Sequence, residues 1–149
     1  MEFNRNGIRF EYPDNWIIEE DTSPDGVSGI TVSAPDGAFW SLSRQPADAD
    51  SEYLINATTE QLRGEYPDLE VYPQSEDMFG SSLSGADFNF SYLDLTNTAE
   101  VRCLSTSTAC YVVFCQAEDR DWNRLHHVFK AMVTSFIRET IGNNPSSDE

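Results

Sequence analysis

The six residues from Cys110 to Cys115 are all apolar or aromatic, with the sequence Cys-Tyr-Val-Val-Phe-Cys. Successive side chains of a β-strand point to opposite faces of its sheet, so this strand needs a cover on both faces. The run therefore predicts a central strand that lies between two other layers of structure.

An amphipathic helix is predicted directly after this strand, from Asp119 to Ile137. Its large apolar side chains recur at steps of three and four residues, which places them on one face. We expect this face to form the structural core together with Trp16, which begins an early strand. The predicted core residues are Trp16, Trp122, Leu125, Phe129, Met132, Val133 and Phe136. The opposite side of the helix carries a basic stripe, which consists of Arg120, Arg124, His127 and Arg138.

A second helix is predicted near the middle of the chain. Asp48, Asp50 or Ser51 can cap its first turn, and Gly64 can end it after Arg63. The predicted strands are joined by short connections, which favours antiparallel pairing. We therefore expect an α+β fold, a three-layer α–β–α sandwich. Its sheet is expected to be mainly antiparallel, with about six or seven strands and one helix on each face.

Short turn motifs separate the predicted strands. Asn6-Gly7 is a strong hairpin signal, and Pro-Asp-Gly at 24–26 and at 35–37 is typical of tight turns. The small and polar residues from Gly80 to Gly85 predict a flexible loop, and Thr96-Asn97-Thr98 predicts a further turn.

Length and charge narrow the possible functions. A chain of 149 residues is expected to form a single domain at 1–141, with a disordered polar tail at 142–149. The 26 acidic and 9 basic residues give a net charge of −17, which disfavours binding to nucleic acid or to an anionic membrane. No apolar run approaches the ~20 residues of a membrane span, so no membrane insertion is expected. The start of the chain shows no signal-peptide pattern, so a cytoplasmic protein is expected if the chain is complete.

The candidate metal motifs are incomplete. Asp21 to Gly26 resembles the start of a calcium-binding loop, but Val32 stands where a bidentate glutamate is needed. His126 and His127 are adjacent, so on a helix their side chains diverge and do not share a metal ion. We expect no metal and no cofactor.

The cysteines do not indicate a catalytic or redox site. Cys103, Cys110 and Cys115 form no CxxC pair, and we expect three reduced, buried thiols. A cross-strand disulfide between Cys103 and Cys110 is geometrically possible if the connection between their strands is short. The carboxylates are abundant, but their spacing singles out no acid–base pair, so no catalytic residue is predicted.

One segment resembles a known family. Residues 7–16, Gly-Ile-Arg-Phe-Glu-Tyr-Pro-Asp-Asn-Trp, resemble the G-x-x-F-x-Y-P-x-x-W start of the PsbP-like superfamily. That superfamily includes the extrinsic subunit of the oxygen-evolving complex, a Ran-binding nuclear-import factor and bacterial DcrB-like proteins. The resemblance implies an α–β–α sandwich that serves as an accessory or binding module. It carries over no functional residue, although some bacterial relatives chaperone hydrophobic segments of secreted proteins.

These observations favour a non-enzymatic accessory or chaperone-like domain that binds another protein. Its partner is expected to offer a basic or hydrophobic segment, and the acidic remainder of the surface could bind a basic one. The basic stripe is the candidate protein-binding surface for an acidic partner, unless acidic neighbours neutralise it. The alternative is a small-ligand or lipid-binding domain, with an apolar pocket between the sheet and the C-terminal helix. A hydrolase without a recognisable motif is the third possibility.

Overall fold

The computed structural model describes residues 1–22 and 28–142. The strands are β1 (Glu2–Arg5), β2 (Ile8–Glu11), β3 (Ile17–Thr22), β4 (Ser28–Ser33), β5 (Phe39–Gln45), β6 (Glu70–Met78), β7 (Ser81–Tyr92), β8 (Leu95–Ser105) and β9 (Cys110–Glu118). The helices are α1 (Ser51–Glu65) and α2 (Asp119–Phe136), and a π-helical turn, Ile137–Ile141, extends α2. None of the described helices is long and apolar enough to cross a membrane.

The strands from β3 to β9 form one seven-stranded sheet in the order β3-β4-β5-β9-β8-β7-β6. Every neighbouring pair in this sheet is antiparallel. Strands β1 and β2 form a separate hairpin around the predicted Asn6-Gly7 turn, where both residues have positive φ. The predicted α+β sandwich with a mainly antiparallel sheet is therefore confirmed.

Alternation along β9 assigns its side chains to two cores. Tyr111, Val113 and Cys115 belong to the core beneath α2, whereas Val112 and Phe114 pack against the core beneath α1. Strand β9 lies between β5 and β8 in the sheet, so both of its edges are paired as well. The unbroken apolar sequence of β9 thus corresponds to a strand that is covered on both faces.

The apolar face of α2 closes the larger core. Leu125, Phe129, Met132, Val133 and Phe136 are all buried in it. The ring of Trp16 meets that of Phe129 edge-on, with centroids 5.9 Å apart. Trp122 differs from the other predicted core residues because it is only partly buried. It lies in the first turn of α2, where it covers the margin of the core and stacks on His126 at 5.0 Å.

The β1–β2 hairpin packs on the large sheet through Phe10 and Trp40, whose ring centroids lie 4.9 Å apart, and hydroxyl groups hold its backbone against α2 and the π-helical turn. The backbone N–H of Glu11 donates to Ser135 Oγ at 2.8 Å. Thr140 Oγ1 accepts from the N–H of Arg9 at 2.7 Å and donates to the carbonyl of Arg9 at 2.8 Å. These bonds satisfy backbone groups of β2 that no strand pairs with, and they fix the hairpin on the helix.

Helix α1 begins where its predicted cap lies. Asp50 accepts a hydrogen bond from the N–H of Glu52 at 3.0 Å, which satisfies one free donor of the first turn. The helix continues through Gly64 and ends at Glu65, so glycine is not its terminator. The backbone N–H of Tyr66 closes the last turn on the carbonyl of Leu62 at 2.8 Å.

The predicted flexible loop from Gly80 to Gly85 is instead largely the first part of β7. The polar sequence of this segment resembles a loop and hides the strand. In the structure, Gly85 pairs with both Gln74 and Arg102 in the middle of the sheet. A Cβ atom at Gly85 would lie 2.9 Å from the carbonyl carbon of Val101 and closer still to its oxygen. Glycine therefore serves here to admit a close approach of two backbones, rather than to make the chain flexible.

The predicted turn at Thr96–Thr98 is also displaced. Those residues belong to β8, and the chain reverses at Leu93 and Asp94, which both have positive φ. This pair lacks the Asn-Gly chemistry that marks such turns in a sequence. The predicted turn at 24–26 and most of the predicted tail, 143–149, lie outside the described residues.

We expect Phe136→Ala to lower the free energy of unfolding by about 3–5 kcal/mol, because the ring is 1% exposed and packs edge-on against Tyr111. Chemical denaturation measures the loss. The matched control is Asn123→Ala on the exposed side of α2, which should change stability by less than about 0.5 kcal/mol. A loss below about 1 kcal/mol for Phe136→Ala would contradict the assignment of this helix face.

Gly85→Ala should destabilise the protein by about 1–3 kcal/mol, since the added methyl group collides with the backbone of β8. Gly64→Ala is the control, because a Cβ atom there meets nothing within 4 Å. It should raise the stability by about 0.5–1 kcal/mol, as alanine favours the helix. Thermal unfolding of both variants tests the pair, and equal effects would show that Gly85 is not sterically required.

Candidate functional site

The arginines of the basic stripe have intramolecular partners. Arg120 Nε lies 2.7 Å from Glu118 Oε1. Arg124 Nη2 lies 3.0 Å from Asp36 Oδ2 and 3.1 Å from Asp121 Oδ1. Burial alone would raise the pKa of Asp36, but the hydrogen bonds from Arg124 and from the backbone of Ala38, together with the charge of Arg124, outweigh it, and the pKa lies below its ordinary value. Much of the positive charge of this side of α2 is therefore compensated within the molecule.

The other two members of the stripe have different surroundings. The guanidinium of Arg138 lies over the ring of Phe79, with the centroid 5.8 Å away. His127 is exposed and lines a groove on the outer side of α2. The structure thus places the four predicted residues in separate environments. Two of them border concave surfaces: Arg138 lines a cavity beside Phe79 and Gly80, and His127 lines the groove on α2.

We call this concavity the α2 groove. It lies between the end of β2 and α2 and has a volume of about 440 Å³. Most of its lining is apolar. The lining residues are Glu11, Tyr12, Pro13, His127, Val128, Ala131, Met132 and Ser135. Its size and apolar lining fit one or more apolar side chains.

Hydrogen bonds fix both walls of the α2 groove. Ser135 Oγ accepts from the N–H of Glu11 at 2.8 Å and donates to the Met132 carbonyl at 3.0 Å, which joins one wall to the other. Tyr12 exchanges backbone hydrogen bonds with Met1, and the N–H of Trp16 donates to the Pro13 carbonyl. The groove is consequently formed before any ligand arrives, which lowers the entropic cost of binding.

Negative charge gathers at one end of the α2 groove. Burial raises the pKa of Glu139, and the neighbouring carboxylates of Glu11 and Glu2 raise it further. Arg9 Nη2 pairs with Glu2 at 3.2 Å and compensates part of this charge. A cationic group on a bound segment would find favourable electrostatic surroundings here.

A second cluster, which sequence reasoning missed, lies on the face of the sheet beneath α2. Arg102 is 9% exposed and donates to Glu76 Oε1 at 2.9 Å and to Asp87 Oδ1 at 2.8 Å. Its Nη1 also donates to the backbone carbonyls of Ala86 and Val101. A buried guanidinium with this many acceptors is fully committed to holding neighbouring strands together.

Two side chains of α2 join this cluster. Lys130 Nζ lies 3.0 Å from Glu76 Oε2, and His126 Nε2 lies 3.5 Å from Glu100 Oε2. Burial raises the pKa of Glu100, although Arg102 opposes the shift. For Glu76, burial would raise the pKa, but the hydrogen bonds from Lys130 and Arg102 dominate and lower it. The cluster is an ionic connection between helix and sheet.

The signal for this cluster was present in the alternation of the strands. Arg102 interrupts the apolar run from Val101 to Leu104, and a charge at an inward position needs a partner. Its partners are on β6 and β7, which the sequence does not place beside it. The pairing of Asp87 with Glu100 across β7 and β8, which only the structure shows, brings Asp87 close to Arg102.

The space between the sheet and α2 does not match the predicted ligand pocket. The cavity there, beside Trp40, Arg102 and Phe129, has a volume of only about 20 Å³. Pockets for small ligands are usually roughly 300–1,000 Å³, so this cavity is too small for a lipid or a drug-sized molecule. The phenylalanines of α2 fill the volume that the alternative function required.

The cysteines are all free and buried. Strand pairing places Cys103 opposite Val112 and Cys110 opposite Ser105, so the two cysteines are two residues out of register rather than opposite. Burial, and secondarily the neighbouring Cys110, raises the pKa of Cys103 to about 12. A thiol with such a pKa is protonated at neutral pH and is a poor nucleophile.

The candidate metal motifs find no support in the described part of the chain. No group of three or more His, Cys, Asp or Glu side chains there is arranged to hold a metal ion. His126 is partly buried against Trp122, whereas His127 is exposed, so the two imidazoles have different environments. The calcium-like segment Asp21–Gly26 lies mostly outside the described residues.

Comparison with known proteins gives information on the fold. No protein-family model and no curated protein sequence matches the chain. A solved structure of cyanobacterial PsbP from Synechocystis has a TM-score of 0.58 at 13% identity, covering 91% of this chain and 89% of that one. A Pseudomonas aeruginosa protein of unknown function, for which a regulatory role has been suggested, has a TM-score of 0.52 at 12% identity, with 91% and 94% coverage.

A third solved structure, from Bacteroides thetaiotaomicron, has a TM-score of 0.61 at 11% identity. The match covers 90% of this chain but 46% of that one, so the chain spans about half the length of the Bacteroides protein. At these identities the likeness concerns the fold alone. The chain has the PsbP-like fold that the segment from Gly7 to Trp16 indicated.

We expect Arg102→Met to cost about 3–5 kcal/mol of stability at pH 7, because three carboxylates then remain close together without their main partner. The loss should become smaller as the pH falls below about 4.5. In the variant, protonation of the carboxylates relieves their mutual repulsion. In the wild type, the lowered pKa of Glu76 stabilises the fold above its ordinary pKa of 4.5, and this stability is lost as the pH falls further. Urea denaturation at several pH values measures both.

The control for this prediction is Arg63→Met. Arg63 pairs with Glu60 on the exposed side of α1, and this pair should contribute less than about 1 kcal/mol. A loss for Arg102→Met that equals the control, or that does not change with pH, would contradict an ionic role for the cluster.

Proposed function

We propose that this protein is a non-enzymatic, accessory or chaperone-like domain that binds a basic segment of another protein through the α2 groove. The observation that carries the proposal is the groove itself, an open apolar concavity of about 440 Å³ with walls held by hydrogen bonds. A preformed apolar groove beside a helix suits the apolar side chains of an extended or helical segment.

Electrostatics supports a basic partner. The protein has a net charge of −17, and such a field accelerates the approach of positively charged partners. Locally, Glu2, Glu11 and Glu139 lie close enough to influence one another at one end of the groove. A lysine or arginine next to the apolar anchor of the partner would pair with these carboxylates, which gives the segment a preferred orientation.

The non-enzymatic character is supported by the state of the buried reactive groups. Arg102 binds Glu76 and Asp87, which leaves these carboxylates poorly suited to accept a proton from a substrate. Burial raises the pKa of Cys115 well above its ordinary value, so this thiol stays protonated. The fold likeness to PsbP, at 13% identity, agrees with an accessory role by analogy.

The full basic stripe is a less favourable docking surface than the groove. An acidic partner would have to compete with Glu118 for Arg120, and with Asp36 and Asp121 for Arg124. We therefore place the contact at His127 and its groove, and we expect the double variant Arg120→Glu/Arg124→Glu to retain binding of a basic partner.

Ala131→Arg should weaken binding of a basic apolar peptide by about fivefold or more, because the exposed methyl group becomes a long cation in the groove. A short peptide of alternating lysine and leucine serves as the probe, and its affinity is measured by calorimetry. Asn123→Arg is the control, since it adds the same charge to the exposed side of α2 outside the groove.

Nuclear magnetic resonance locates the site in the same titration. The proposal expects the largest shifts at Tyr12, Val128, Ala131 and Met132, and an affinity within about twofold of wild type for Asn123→Arg. Equal weakening by both arginine variants would indicate a general charge effect. Shifts that spread over the acidic surface without a maximum at the groove would also contradict the proposal.

A further inference from the structure

The turn between β7 and β8 has an unusual composition for its backbone. Tyr92 pairs with Leu95, which leaves a two-residue connection in which Leu93 has φ 52° and Asp94 has φ 64°. Positive φ at both positions defines a type I′ turn, for which Asn-Gly is the preferred pair. Leucine is disfavoured in this conformation, because its Cβ crowds the following carbonyl. The fold alone does not favour leucine at this position.

Leu93 is also the most exposed of the large apolar side chains in the described residues, at 76%. Its neighbours Tyr92 and Leu95 are 56% and 39% exposed. We refer to residues 92–95 as the Leu93 tip. A strained backbone that holds an apolar side chain in solvent indicates that the side chain contacts another molecule.

The turn at the other end of β7 provides a comparison. Phe79 has φ 51° and is 63% exposed, and it begins a similar two-residue turn with Gly80. There, however, the second residue is the preferred glycine, and Arg138 lies over the ring. Phe79 therefore has a partner within the molecule, and it serves as an internal control for Leu93.

The Leu93 tip is held in place by the loop that follows α1. The carboxylate of Asp68 accepts from the N–H of Ser91 at 3.1 Å, next to the tip. Tyr66 stacks on Phe90 at 4.1 Å and meets Tyr92 edge-on at 6.0 Å. On the other strand, Asn97 Nδ2 donates to the Leu95 carbonyl at 3.1 Å. A side chain presented on such a fixed support binds with little loss of conformational entropy.

The charges around the tip are of one sign. The segments 64–72 and 86–98 contain acidic residues and no lysine or arginine. Asp94 is part of the turn, and Asp68 and Glu65 lie in the supporting segment. An anionic membrane would repel this surface, whereas a protein pocket with a cationic rim would complement it.

We infer that the Leu93 tip is a second interaction element, independent of the α2 groove, which inserts Leu93 into an apolar pocket bordered by lysine or arginine on a partner protein. Leu93 provides the buried anchor, Tyr92 and Leu95 cover the edge of the contact, and Asp94 meets the cationic rim. A small central anchor surrounded by weaker contacts is the usual energetic arrangement of such interfaces.

The first test separates the role of Leu93 in folding from its role in binding. Leu93→Asn places a residue that tolerates positive φ in the turn, and it should raise the midpoint of thermal unfolding by about 2–4 °C. Phe79→Asn makes the same change at the other end of β7. A midpoint for Leu93→Asn that is below wild type would mean that the leucine stabilises the fold, which would overturn the inference.

The second test uses a chemical mimic of the proposed pocket, β-cyclodextrin with an ammonium group on every glucose unit. In a titration followed by nuclear magnetic resonance, shifts should centre on Tyr92, Leu93 and Leu95. The cationic host should bind about tenfold more tightly than neutral β-cyclodextrin at low salt, and this preference should decrease as the Debye length shortens. Leu93→Asn should abolish the shifts, and Phe79→Asn should preserve them.

The third test identifies the occupant in the native host. Replacement Leu93→p-benzoylphenylalanine, with Phe79→p-benzoylphenylalanine as control, should give a photo-crosslink to a protein from Leu93 alone. The recovered protein, once purified, should bind the wild type at least about tenfold more tightly than it binds Leu93→Asn. It should bind Phe79→Asn as tightly as it binds the wild type. The inference would be overturned if both positions crosslink or neither does, or if Leu93→Asn binds the recovered protein as tightly as wild type. Leu93-dependent binding to zwitterionic lipid vesicles would also overturn it.

Discussion

Burial of the apolar face of α2 against the seven-stranded sheet is the constraint on which the rest of the structure depends. Phe129 and Phe136 fill the space beneath the helix, which reduces the remaining cavity to about 20 Å³. The same packing positions Ser135 and Thr140 to hold the β1–β2 hairpin. Because the hairpin and the helix form the two walls of the α2 groove, the candidate binding surface exists only while this core is intact.

The charges of the protein are arranged in two ways, which have different consequences. Arg102 is buried, and its acidic neighbours are fixed by hydrogen bonds, so it contributes to the cohesion of β6, β7 and β8. The exposed carboxylates at Glu11 and at Asp94 have no comparable burial and remain open to an external cation. Both proposed binding elements therefore combine an apolar contact with acidic surroundings, and they favour partners that offer an apolar group beside a positive charge.

Local patterns predicted much of the fold. The period of the apolar residues specified the buried face of α2, and the unbroken run from Cys110 to Cys115 specified a strand covered on both sides. The prediction was wrong at Gly80–Gly85 and at Thr96–Thr98. In the first case polar residues of a paired strand resemble a loop, and in the second the true turn at Leu93 lacks turn residues. In both cases pairing within the sheet outweighs local preference.

The sequence by itself determined the class of fold, the buried face of α2 and the acidic character of the surface, since these follow from residue types and short-range periodicity. It also placed four basic residues on one side of a helix, but it could not show that Glu118 and Asp36 neutralise two of them. The α2 groove and the partners of Arg102 were decided by the tertiary structure alone. Each joins residues that are far apart in the chain, and only the order of strands and the packing of α2 bring such residues within contact distance.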